Sequence, residues 1–281
     1  MVLNSNINNI GKTSNLNVRF IYIDSMTRLI VITSGKGGVG KTTLTSNLAA
    51  ALTDFGENVI AMDANLTTPN LGLHLGMHLM PHTLHDVLKG ETRLRNAIYP
   101  HPYGFKIIPA SLGLNDLKGV DVGRLPEVSF RLLGKADYII MDSSAGLGRE
   151  AISAISASDE VVIVTNPDLP SVTDALKMLK LAQESNIKVL GTVVNRIKEG
   201  EHELSIENIK ELLGIPILAE IPEDPNVSKS ISVKKPLIEY SPNSPAAVEI
   251  KKLAAVLTGK KHEQPKVRRS LIQRFVDWLV R

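Results

Sequence analysis

Short apolar runs recur along this chain, and most stop at a polar or acidic residue. They are Leu29–Thr33, Asn58–Met62 before Asp63, Phe105–Pro109, Tyr138–Met141 before Asp142, Glu160–Thr165, Val189–Val194 and Ile217–Ile221. Their length and β-branched content predict strands, and their near-continuous apolarity predicts strands covered on both faces. Between them the spacing turns helical, as in Leu44, Leu48, Ala49 and Leu52, and over Ser171–Glu184 and Ser205–Leu213. Strands alternating with helices predict an α/β fold, one domain over residues 26–258 with a mostly parallel sheet between helices. Ligands of such sheets sit at the carboxyl ends of the strands, where Asp63, Asp142 and the segment after Thr33 fall.

That segment carries the strongest chemistry. Gly35, Lys36, Gly37, Gly38, Val39, Gly40, Lys41, Thr42 and Thr43 fit G-x-x-x-x-G-K-[ST] between a strand and a helix. Glycines in such a loop let backbone N–H groups turn toward phosphate oxygens at a helix N-terminus. Lys41 would neutralise the β- and γ-phosphates and Thr42 would hold Mg²⁺ through its hydroxyl. The segment therefore predicts a nucleoside triphosphate site, with ATP and Mg²⁺ as its cofactors.

Composition narrows the class. The chain has no cysteine, which excludes disulfides and clusters held by thiolates. No apolar run is long enough to span a bilayer and no signal peptide is evident, so a cytoplasmic address is expected. The net charge of +3 is unevenly distributed. From Lys260 onward seven Lys and Arg face Glu263 and Asp277, a balance of +5 that leaves −2 for residues 1–259. Residues 1–25 include an asparagine-rich stretch without periodicity, are predicted to be disordered, and leave Met26 as the expected biological start.

The string from Gly35 to Thr43, with a second lysine at Lys36, resembles the deviant phosphate-binding loop of the MinD/ParA/Mrp ATPases. Further landmarks follow in family order from about Thr27 to Leu257. The resemblance implies an ATP hydrolase. In that family the lysine matching Lys36 reaches across a dimer interface to the partner's nucleotide, so an ATP-dependent homodimer is implied. By the same resemblance Asp63 lies near Mg²⁺ and the attacking water, and Asp142 holds a Mg²⁺-bound water. Asn65 stands where a second acid is usual, and an asparagine cannot accept a proton, so slow hydrolysis is expected. Lys36, Lys41, Asp63 and Asn65 are thus the candidate catalytic residues, and Thr42, Asp63 and Asp142 the candidate metal site.

Ser143-Ser144-Ala145-Gly146-Leu147 resembles the family's second switch, with Ser144 in place of a proline, which implies a less rigid loop. After Thr165-Asn166-Pro167, the pairs Asn195-Arg196 and Pro222…Asp224 match the adenine landmarks. The Asn195 amide can donate and accept together, which suits an adenine edge.

Residues 259–265 read as a polar linker. Residues 266–281 place Leu271, Ile272, Phe275, Trp278 and Leu279 on one half of a helix and Arg269, Arg274 and Arg281 on the other. A basic amphipathic helix after a linker predicts attachment to an anionic membrane surface, favoured over docking in a partner's groove or packing back on the domain. A MinD-like ATPase follows as the expectation, reversibly attached to the inner face of the cell membrane, positioning the division site or a polar assembly with an unidentified activating or cargo protein. The alternative is a ParA-like ATPase binding DNA nonspecifically. That reading calls for a basic body, whereas residues 1–259 are slightly acidic, so nucleic acid is not the expected partner.

Overall fold

The computed structural model describes residues 27–260 apart from residue 199. β1 (Arg28–Ser34) leads through the glycine-rich loop into α1 (Lys41–Asp54) and β2 (Val59–Ala64). Two short helices, α2 (Leu71–His74) and α3 (Leu84–Lys89), and a 3-10 turn at Leu94–Ala97 precede β3 (Tyr99–Pro100) and β4 (Lys106–Ile108). Next come α4 (Leu125–Phe130), β5 (Tyr138–Ala145), α5 (Arg149–Ser156) and β6 (Glu160–Thr165). They are followed by α6 (Leu169–Glu184), β7 (Lys188–Ile197), α7 (Ile206–Leu213) and β8 (Ile217–Pro222). The helices α8 (Pro225–Ser232), α9 (Leu237–Tyr240) and α10 (Pro245–Thr258) complete the described chain.

The strands form one eight-stranded sheet in the order β3-β4-β2-β5-β1-β6-β7-β8. All neighbours are parallel except β3 and β4. This is the mostly parallel α/β architecture that the alternation of runs predicts. Successive side chains of a strand point to opposite faces, so each central strand feeds two cores. Leu29, Val31, Ile139, Met141, Val161 and Ile163 enter one, packed under α3 to α7. Ile30, Ile32, Ile140, Val162 and Val164 enter the other, under α1, α9 and α10. Full burial of each such side chain contributes roughly 1.5–3 kcal/mol.

Several boundaries differ from the sequence reading. β5 runs past Asp142 to Ala145, and β7 runs past Val194 to Ile197, because each keeps pairing with its neighbours. The two-residue β3 was not predicted; it is held by antiparallel pairing of Tyr99 with Ile107. α6 starts before the predicted Ser171, because Asp168 caps it by accepting from the Ser171 N–H at 2.9 Å.

At the amino ends of β1, β6 and β7, buried Glu160 takes ion pairs from Arg28 at 2.6 Å and Lys188 at 2.9 Å. Arg28 and the Tyr138 hydroxyl both donate to the Leu257 carbonyl, at 2.6 and 3.0 Å, satisfying the last turn of α10. Lys260 is fastened to the body through the Phe55 carbonyl and Glu57. Among the described residues no helix is long and apolar enough to cross a membrane. The predicted disorder of residues 1–25, all but the first two residues of the predicted linker, and the amphipathic helix over 266–281 lie outside the described residues.

Gly191 pins the register of β7. The pairing slips there, with Val161 opposite Val189 but Val162 opposite Gly191. Gly191 has φ of 153°, and a Cβ would sit 2.4 Å from the Pro216 carbonyl oxygen and 2.8 Å from Leu218 Cγ. Gly191→Ala is therefore expected to cost about 2–4 kcal/mol, combining backbone strain with overpacking. Equilibrium urea unfolding measures it, and a loss below about 0.5 kcal/mol would mean that the bulge accommodates a side chain freely.

Candidate nucleotide site

The loop Gly35–Gly40 leaves the carboxyl end of β1 and ends at Gly40, which occupies the N-cap of α1 with φ of 103°. A side chain at Gly40 would meet Asn195 Nδ2 at 2.2 Å, so the close approach of β7 requires glycine here. α1 begins without a side-chain cap and without an acidic residue in its first turn. Its first N–H groups have no helical partner and carry the positive end of the helix dipole. They open on the cleft lined by Lys41, Thr42 and Thr43, a ready anion site.

Lys41 is buried, and its ammonium donates to Ser34 Oγ at 2.9 Å. Burial lowers its pKa, partly opposed by the nearby Asp142 carboxylate. Thr42 Oγ1 donates to Asp142 Oδ2 at 2.6 Å, while Asp142 Oδ1 is buried without a partner among the described residues. Asp63 and Asp142 are direct cross-strand neighbours in β2 and β5, both fully buried. Burial pushes the Asp142 pKa up to about 6 despite the Thr42 bond and Lys41. Burial, followed by the Asp142 charge, holds Asp63 well above the usual carboxylate range. The Asp63 oxygens accept from the Asn65 and Leu71 N–H groups at 3.2 and 3.0 Å.

Asn65 uses both ends of its amide within its own turn. Nδ2 donates to the Thr68 carbonyl at 2.6 Å, and Oδ1 accepts from the Thr68 hydroxyl at 3.1 Å. A carboxylate could not make the first of these bonds. Lys36 is half-exposed and lies 3.8 Å from Asp168. Such a surface pair contributes little and leaves Lys36 free to exchange partners.

A second part of the cleft, continuous with the first through Gly40, Thr43 and Arg196, is lined by Asn195, Pro222, Asp224 and Val227. Asn195 Nδ2 donates to the Val39 carbonyl at 2.7 Å, so the amide fixes the loop as well as facing the cleft. Arg196 takes the left-handed conformation at φ of 60° and lies 3.9 Å from Glu223. Asp224 lines the wall, but its oxygens accept from Asn226 and Ala246 N–H groups, joining α8 to α10. Burial would raise its pKa, and these bonds lower it.

Residues 30–237 match the family model described as the CobQ/CobB/MinD/ParA nucleotide binding domain. The chain belongs to this family. An uncharacterized ATP-binding protein of Methanocaldococcus jannaschii is 38% identical over 252 residues, covering 89% of this chain and 96% of that protein. The solved septum site-determining protein MinD of Pyrococcus horikoshii, complexed with Mg-ADP, is 39% identical with a TM-score of 0.81. The match covers 83% of this chain and 96% of that one. MinD in a MinC:MinD complex from Aquifex aeolicus is 31% identical with a TM-score of 0.75, covering 85% and 98%.

The residues present fit the ligand of a CobQ/CobB/MinD/ParA domain. The uncapped helix end and Lys41 suit phosphates, and the Thr42 hydroxyl beside a buried carboxylate with an unpartnered oxygen suits a hydrated divalent cation. The loop, Asp63 and Asp142, named as candidates from the sequence, come together here. The sequence reading missed Ser34, which steadies Lys41, and Asp168, which faces Lys36. It also missed Glu150, which hydrogen-bonds Thr67 and joins the segment after β2 to α5. His85 was missed too: its ring bridges the Leu66 carbonyl at 3.2 Å and the Ser111 N–H at 3.0 Å. Only Ser34, directly before the loop, had a sequence signal.

A carboxyl group must be ionised to serve a cation, which makes the site pH-dependent. With its pKa raised, Asp142 favours the folded state when protonated. That contribution is present below about pH 4 and is lost as pH rises through about 6. Cation binding has the opposite sign. Mg²⁺-dependent nucleotide affinity is expected to be flat above about pH 7 and to fall up to about tenfold per unit below about pH 6. Calorimetric titrations in buffers of different ionisation enthalpy would count the released proton. An unchanged affinity down to about pH 5 would contradict the assignment.

Proposed function

We propose that this chain is a MinD-like ATPase that binds ATP with Mg²⁺, dimerises in that state, and attaches reversibly to the inner face of the cell membrane. The observation that carries the reading is the group formed by the uncapped start of α1, Lys41, and Thr42 bonded to Asp142. It supports phosphate binding by the loop and α1, with Thr42 and Asp142 holding the cation, which would neutralise phosphate charge during transfer to water. Asn195, Pro222 and Asp224 would border the adenine. Lys36 supports the dimer: it stands on the surface of the loop in a weak pair with Asp168, able to reach a second nucleotide.

Hydrolysis is proposed to be slow, because Asn65 cannot accept a proton and its amide is tied to Thr68. Membrane attachment rests on the amphipathic pattern of residues 266–281. One short helix binds weakly, and a dimer presents two, so nucleotide state would control attachment through effective concentration. The cellular role that fits is spatial positioning of the division site or of a polar assembly. The alternative, a ParA-like partitioning protein on DNA, is disfavoured by the slight acidity of residues 1–259.

One experiment tests these parts together: sedimentation with anionic vesicles, with ATP or ADP, alongside size-exclusion chromatography. The wild type is expected to dimerise and pellet with ATP, and to do neither with ADP. Lys41→Ala should lose nucleotide binding outright. Lys36→Ala should bind ATP but remain monomeric and soluble. A chain lacking residues 266–281 should dimerise but not pellet, and raised salt should weaken the wild type. Normal dimers of Lys36→Ala, or undiminished pelleting of the shortened chain, would reject the corresponding part.

A further inference from the structure

Apart from the nucleotide cleft, a groove of about 650 Å³ opens between the C-terminal end of α3, the 3-10 turn that follows it, and the two ends of α4. Its lining includes Arg93, Arg95, Arg124 and Arg131, with the buried side chains of Val87 and Leu94. Arg124 is built into the wall: Nη1 donates to the Leu88 carbonyl at 2.6 Å, satisfying the last turn of α3. Arg124 and Arg131 share one carboxylate, Glu127, at 3.7 and 2.5 Å. Glu91 lies 4.0 Å from Lys89. Arg93 and Arg95 are exposed and have no side-chain partner among the described residues.

Lys89, these four arginines and the two carboxylates sum to +3, whereas residues 1–259 as a whole sum to −2. A concentrated positive field on a slightly acidic body recruits an anionic ligand. We propose that this groove is a docking site for an acidic peptide segment of a partner protein, with Asp and Glu carboxylates of that segment paired to Arg93 and Arg95. The guanidinium fork matches a carboxylate with two parallel hydrogen bonds, a geometry that a lysine patch would not offer.

Two other anions fit less well. A nucleic acid strand would gain from aromatic platforms, and among the described residues no aromatic side chain lines this groove. Its continuous phosphates would also meet Glu91 and Glu127. A membrane presents a flat layer of headgroups, which reaches a protruding patch more readily than the inside of a groove.

The test uses the full chain and a short fluorescein-labelled peptide rich in Asp and Glu, read by fluorescence anisotropy at low and moderate salt. Duplex DNA and anionic vesicles serve as parallel probes. The wild type is expected to bind the peptide, more weakly as salt rises. The double reversal Arg93→Glu and Arg95→Glu should weaken that binding by about tenfold or more while leaving ATP binding intact. A reversal of Arg268 and Arg269, in the basic C-terminal segment, should leave peptide binding unchanged. The proposal is overturned if the groove reversal has no effect on the peptide, if only the C-terminal reversal does, or if the reversal instead removes DNA or vesicle binding.

Discussion

Two carboxylates buried side by side in a parallel sheet set the terms for this molecule. Asp63 and Asp142 occupy facing positions on β2 and β5, with no solvent exposure and one buried cation, Lys41, at hand. Charges of the same sign at such a depth cost several kcal/mol unless they are compensated. The chain offsets this with backbone N–H donors from Asn65 and Leu71 to Asp63, and with the Thr42 hydroxyl to Asp142. The compensation is incomplete: Asp142 Oδ1 has no partner among the described residues, and both pKa values stay raised. Native structures rarely hold an unsatisfied buried oxygen without a use for it. A bound cation would supply the missing charge.

The sheet order explains why this cost falls where ligands bind. β1 lies between β5 and β6, so its loop rises beside the end of β5 and brings Lys41 and Thr42 to Asp142. The segment after β2 is anchored at Asp63 and reaches other elements through hydrogen bonds, two of them between Thr67 and Glu150. Leu66 meets His85 on α3, and Thr67 meets Glu150 on α5. A shift at Asp63 on filling of the site would therefore be felt at two helices. The Gly146 N–H, donating to the Ser34 carbonyl at 2.9 Å, ties the second switch segment to the same loop.

Much of the fold and the centre of the site were legible in the sequence, because both depend on local patterns. A run of buried strand residues, a glycine string before a helix and an acid after an apolar run are all read within a few positions. What was not legible joins distant parts of the chain. Asn195 holds the Val39 carbonyl across 156 residues, and nothing near Asn195 announces that role. The extent of β7 depends on its pairing with β8, so Asn195 and Arg196 read as following a strand that in fact includes them. Asn65 is instructive in another way. Its sequence signal was a missing charge, whereas its surroundings show a side chain chosen for donor and acceptor together, with the Thr68 carbonyl and hydroxyl as partners. The arginine groove lay hidden because its members come from two segments about thirty positions apart.

Burial and incomplete pairing would fit Asp142 to serve a cation beside bound phosphates. The most direct measurement is the thermal stability of the wild type and Asp142→Asn with ATP alone and with ATP plus Mg²⁺. Ligand that binds only the folded state raises its stability in proportion to the logarithm of ligand concentration over Kd. Both proteins are expected to gain stability from ATP, and only the wild type a further increment from Mg²⁺. An Asp142→Asn protein with the full Mg²⁺ increment would mean that Asp142 holds no cation.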